Sequence, residues 1–92
     1  MLNALLLVTA LSGQSPYEHC ITRDQRGRIA RSAAVRYAFV RAHACPSTGK
    51  HRLPCPGYRI DHIVPLKRCG ADTTDNLQWL TIEEWKAKTQ WE

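Results

Sequence analysis

Apolar positions change their rhythm twice along this chain. After an apolar run at residues 4–11, residues 20–31 (CITRDQRGRIAR) are mostly polar and read as two short extended pieces around a turn at 24–27, where Gly27 supplies the permissive backbone. From Ser32, a residue suited to cap a helix, the spacing becomes helical. Val35 and Phe39 fall four apart with Ala38 and Ala42 beside them, which predicts a helix over 33–43 with one apolar stripe. Arg36 and Arg41 lie off that stripe and read as an exposed face. Residues 45–57 (CPSTGKHRLPCPG) are dense in Pro, Gly and small polar residues, the composition of a loop.

At Tyr58 the rhythm changes to two. Tyr58, Ile60, His62 and Val64 alternate with Arg59, Asp61 and Ile63, predicting a strand over 58–64 that Pro65 ends because it cannot donate to a ladder. Residues 67–75 read as a loop with Gly70 as its hinge, and 77–80 as a second short strand. Thr81 and Glu84 then fit the S/T-x-x-E capping box, opening a helix over 82–90 with Ile82, Trp85 and Thr89 on one face. Trp79 and Trp85 read as core. The order strand, loop, strand, helix behind an earlier helix makes the class α+β.

A chain of 92 residues makes one small domain, in which a single core is marginal and staples are expected. Four cysteines, Cys20, Cys45, Cys55 and Cys69, supply them as two disulfides. Three pairings are possible, and a bridge between Cys45 and Cys55 would close the loop between them. No two cysteines have the C-x-x-C spacing that favours structural zinc. Residues 1–13 read as a signal peptide too short to span a bilayer, leaving 14–92 as one domain of a secreted or periplasmic protein with no stable membrane association. If that run is instead a buried element, the protein is cytoplasmic. The 13 Lys and Arg all lie between Arg23 and Lys88 and, set against 8 Asp and Glu, give a formal net charge of +5, a field suited to a polyanion or an acidic membrane surface. His19, His43 and His51 read as surface histidines.

The stretch YRIDHIVPLKRCGADTTDNLQWL resembles the HNH endonucleases and their ββα-metal fold through the ordered set Asp61, His62, Pro65, Gly70, Asn76 and Leu77. This HNH-like core covers residues 58–89. The flanks CPSTGK and CPGY, with RIARS upstream, further resemble small exported bacterial HNH proteins. The resemblance implies that His62 is the general base, that Asp61 is a ligand of a divalent cation, most commonly Mg²⁺, and that Asn76 ties the loop and helps orient His62. Lys67, Arg68, Lys86 and Lys88 become contacts to DNA phosphates.

Elementary chemistry agrees with that division. A hard cation takes oxygen ligands and stabilises a leaving oxygen, and an imidazole titrates near neutral pH. The third HNH position falls on Trp85, whose indole has no lone pair for a cation. A carboxylate at the helix start, Glu84 or else Glu83, is then the expected second ligand. Consecutive strand residues point to opposite faces, so Asp61 and His62 share a site only if the strand bends or the metal sits at its edge. The function expected is metal-dependent DNA hydrolysis, with a catalytically silent nucleic-acid-binding module on the same scaffold as the alternative.

Overall fold

The structure, a computed structural model, describes residues 15–92, and the signal peptide expected at 1–13 lies outside them. A 3₁₀ turn at Glu18–Cys20 leads into a tight hairpin in which Arg23 bridges Ile29. Helix α1 (Ala33–Ala42) follows, then strand β1 (Tyr58–His62), 3₁₀ turns at Leu66–Arg68 and Thr74–Asn76, strand β2 (Leu77–Thr81) and helix α2 (Ile82–Trp91). β1 and β2 form a two-stranded antiparallel sheet that pairs Tyr58 with Thr81, Ile60 with Trp79 and His62 with Leu77. The class is α+β, as the sequence pattern indicates.

Local chemistry sets most of these boundaries. In the hairpin the Asp24 carboxylate accepts from the Arg26 and Arg28 amides at 2.9 and 3.0 Å, and Gly27 closes the turn with φ 78°. Ser32 caps α1 by accepting from the Val35 amide at 3.2 Å, satisfying a donor that has no partner within the helix. Thr81 and Glu84 make both halves of the capping box at the start of α2, with bonds of 3.1 and 2.9 Å.

The core is small. Phe39, Val40 and Leu77 are buried, with Val35, Leu53, Ile60 and Trp79 packed against them. α1 thus covers the face of the sheet that carries Ile60 and, two residues on, His62. Trp79 joins this core as expected, its ring centroid 5.6 Å from that of Phe39 and its indole N–H donating to the His43 carbonyl at 3.2 Å. Trp85 does not. It lies under Arg59, whose Cζ is 4.4 Å from the ring centroid.

β1 is two residues shorter than its alternation suggests. The Ile63 amide donates to the Asn76 carbonyl at 2.8 Å and the Val64 amide to Asn76 Oδ1 at 3.0 Å, so the chain leaves the ladder there with both residues 47 % exposed. Gly70 is no hinge. A Cβ at that position would lie 1.8 Å from the Val64 carbonyl oxygen, so glycine is needed for close backbone approach.

Two disulfides join the pieces. Cys45–Cys55 closes the loop before β1, and Cys20–Cys69 ties the N-terminal turn to the loop between the strands. They fit an extracellular or otherwise oxidising compartment. Among the described residues no helix is long and apolar enough to cross a membrane.

Candidate functional site

The last residue of β1 begins the site. His62, with 16 % of its side chain exposed, places Nε2 2.8 Å from Asp72 Oδ1, and Asp72 Oδ2 accepts from the Ser32 amide at 2.7 Å. Asp72 therefore ties the loop between the strands to the start of α1 while it holds the imidazole. Burial works to raise its pKa. The hydrogen bonds from His62 and the Ser32 amide outweigh that, with help from the charges of His62 and Arg31, so the carboxyl stays below its ordinary value. An ionised Asp72 accepts only, so a neutral His62 must donate from Nε2, leaving the lone pair on Nδ1. Among the described residues Nδ1 has no hydrogen-bond partner.

Asn76 fixes the same loop from the other side. Its Nδ2 donates to the Val64 and Ala71 carbonyls at 3.0 and 2.7 Å while Oδ1 accepts from Val64. All three bonds go to backbone. Asn76 ties the loop as the resemblance implies, and orientation of His62 comes from Asp72.

His62 and Asp72 lie in the wall of an open cleft of about 930 Å³ that also takes in Arg31, Arg36, Arg59 and Trp85. The three arginines form no ion pair with any carboxylate of the described residues. Asp72 is the one carboxylate in this wall. An imidazole held by a carboxylate, beside three guanidinium groups that form no ion pair, can in its neutral form accept a proton next to a bound anion.

Asp61 lies on the other face of β1. It is 9 % exposed, and its Oδ2 is 3.0 Å from Lys88 Nζ and accepts from Gln78 Nε2 at 3.1 Å. Lys88 donates as well to the His62 carbonyl at 2.9 Å and to Glu92 Oε2 at 2.6 Å. Burial works to lower the Lys88 pKa, but hydrogen bonds and attraction from Glu92 and Asp61 outweigh it and hold the ammonium above its ordinary value. The strand does not bend enough to bring Asp61 beside the His62 ring. The conflict between adjacent residues is met by using both faces.

The donor set expected for a divalent cation does not fit one in this arrangement. Asp61 already faces an ammonium, and Glu84 Oε1 accepts from the Thr81 amide in the capping box. A cation on Asp61 would have to displace Lys88. The one group of three ligand-type side chains among the described residues is His19, Cys20 and Cys69, and its two sulfurs are joined in a disulfide.

The basic residues expected at phosphates divide. Lys67 and Lys86 are exposed and stand outside the cleft wall, as does Arg68, which donates to the Glu92 carbonyl at 3.4 Å. Lys88 is committed to Asp61 and Glu92. The arginines that do line the cleft, Arg31, Arg36 and Arg59, come from three separate stretches of sequence and carry no local pattern that singles them out. His43 stacks on Phe39 with centroids 4.7 Å apart, and His51 Nδ1 contacts the Val40 carbonyl at 3.2 Å.

No family model matches this chain, and neither a curated protein nor a solved structure matches it.

Proposed function

We propose that the protein is a nuclease of the HNH type that hydrolyses phosphodiester bonds in DNA, with His62 as the general base. The observation that carries this reading is the 2.8 Å pairing of His62 with Asp72 in a cleft lined by three arginines that form no ion pair among the described residues. In the proposed step His62 Nδ1 takes a proton from a water molecule as its oxygen attacks phosphorus. The bond to the leaving oxygen breaks, and that oxygen takes a proton from solvent. Asp72 stays ionised, keeps the imidazole in one tautomer and stabilises the imidazolium that forms. Arg31, Arg36 and Arg59 attract the polyanion, and Arg31 and Arg36 offset charge that builds on the phosphoryl oxygens.

A divalent cation, with Mg²⁺ first in order, is part of the HNH expectation and would act as a Lewis acid at phosphorus. The engagement of Asp61 with Lys88 argues against a ligand set built on Asp61 and Glu84, and no step is routed through that pair. The same engagement favours the second reading, a nucleic-acid-binding module that has kept the scaffold without the chemistry. Incubation of supercoiled plasmid with Mg²⁺, Mn²⁺, Ni²⁺ or Zn²⁺, each against EDTA, separates the two. Nicking or linearisation in any arm supports the nuclease, and DNA binding with no cleavage in every arm supports the module.

A further inference from the structure

The end of the cleft away from His62 has a construction that phosphate binding alone does not call for. Arg59 lies over the Trp85 ring with its Cζ 4.4 Å from the centroid, and both residues face the cleft together with Tyr58 and Tyr37, the last 54 % exposed. Arg59 is exposed and has no carboxylate partner among the described residues. A guanidinium seated over an indole keeps its charge for phosphate and has a second, outer face on which a nucleobase can stack. Bases inside a duplex stack on one another and show only their edges, so such a face is useful to a base that is unpaired.

From these contacts we infer that Arg59 on Trp85 is a stacking platform for an unpaired base, so that the cleft takes single-stranded DNA. The inference rests on the nuclease reading for the phosphodiester at His62, and it adds the form of the substrate. Arg59 lies three positions before His62 on β1, and by strand alternation its side chain leaves from the opposite face, although both residues line the cleft. The stacked base therefore belongs to a different nucleotide from the one that reacts. Arg59 then acts on affinity, and His62 on the chemical step.

The test uses the full chain and a labelled mixed-sequence 12-mer, either single-stranded or annealed to its complement. Binding is followed by fluorescence anisotropy in the His62→Ala background so that no substrate is consumed. Single strand is expected to bind more tightly than duplex. Arg59→Lys keeps the charge and removes the planar face, so it should weaken single-strand binding about ten-fold while leaving duplex affinity and the salt dependence unchanged. Arg59→Ala should weaken both forms.

Equal affinity of the wild-type surface for the two forms, or equal losses for both in Arg59→Lys, overturns the platform. Plasmid or oligonucleotide cleavage by the unmutated protein is scored separately. Cleavage without single-strand preference removes the platform and leaves the nuclease. Single-strand preference that depends on Arg59, without cleavage under any metal, removes the nuclease and leaves the platform.

Discussion

Lys88 Nζ sits 3.0 Å from Asp61 Oδ2, on the face of β1 opposite the His62 side chain. With 17 % and 9 % of their side chains exposed, the two groups form a largely buried ion pair that fastens the C-terminal half of α2 to the strand. Removing one partner of such a pair leaves the other charge out of water without compensation, at a cost of about 3–5 kcal/mol when burial is complete. Glu92 remains beside Lys88 when Asp61 is removed, which lessens the loss.

Asp61→Asn should therefore lower unfolding stability by about 2 kcal/mol and Lys88→Met by somewhat more, because the latter leaves Asp61 with Gln78 alone. Urea denaturation followed by tryptophan fluorescence reads both. Wild-type stability for Lys88→Met would mean that the pair does not hold α2. A cation that binds at Asp61 has to compete with Lys88, so Lys88→Met should raise the apparent affinity for Mg²⁺ if Asp61 is a ligand and leave it unchanged if it is not.

Asp72 makes a prediction in pH. Its carboxyl has a lower pKa in the folded chain than in the unfolded one, so its contribution is fully present above the unfolded value, about 4, and is lost as pH falls through the lower folded value. Asp72→Asn should be less stable than the parent by about 1 kcal/mol at pH 6, and the difference should shrink at acid pH below about 4. A stability difference that is the same at pH 6 and pH 3 would show that the ionised carboxylate is not what stabilises the loop.

Asp72 also shows where sequence reading stops. The caps at Ser32 and at Thr81 with Glu84 were legible because donor and acceptor lie three residues apart. Asp72 meets His62 across ten residues and the Ser32 amide across forty. Nothing in its own neighbourhood points to His62 or to the Ser32 amide as its partner. The same holds for Lys88, which reads as a contact to DNA phosphate until Asp61 is seen beside it. His62 was legible from its surrounding motif and the turn at 24–27 from Asp24 and Gly27, whereas the Cys45–Cys55 bridge was one of three pairings that the sequence left open. Gly70 was recognised as special, but for freedom when the constraint is space.

Gly70→Ala tests that difference. Because the added methyl would fall on the Val64 carbonyl, the loop from 63 to 76 must shift and release the Asn76 bonds. The expected loss is at least about 2 kcal/mol, with faster hydrogen exchange at the Val64 amide. A flexible hinge would tolerate alanine and gain slightly from it.

Oxidation state is read by intact mass. Two disulfides make the unreduced chain four hydrogens lighter than the reduced one. The Cys20–Cys69 bridge spans 49 residues and the Cys45–Cys55 bridge spans 10, so chain entropy assigns them about 4 and about 2.5 kcal/mol. Paired Cys→Ala changes at 20 and 69 should destabilise more than those at 45 and 55 on that ground. Four titratable thiols in protein purified without reductant would remove the case for an oxidising compartment.

The central claim is that His62 performs the chemistry while the arginines hold DNA. The most direct measurement compares cleavage and DNA affinity of His62→Ala with those of the parent, on protein shown to be folded by circular dichroism. Loss of a general base lowers the rate by about 10²- to 10⁴-fold. The expected result is a loss of that size with DNA affinity within about two-fold of the parent, since Arg31, Arg36 and Arg59 are untouched. Cleavage at the parental rate, or affinity that falls together with activity in the folded variant, would contradict it.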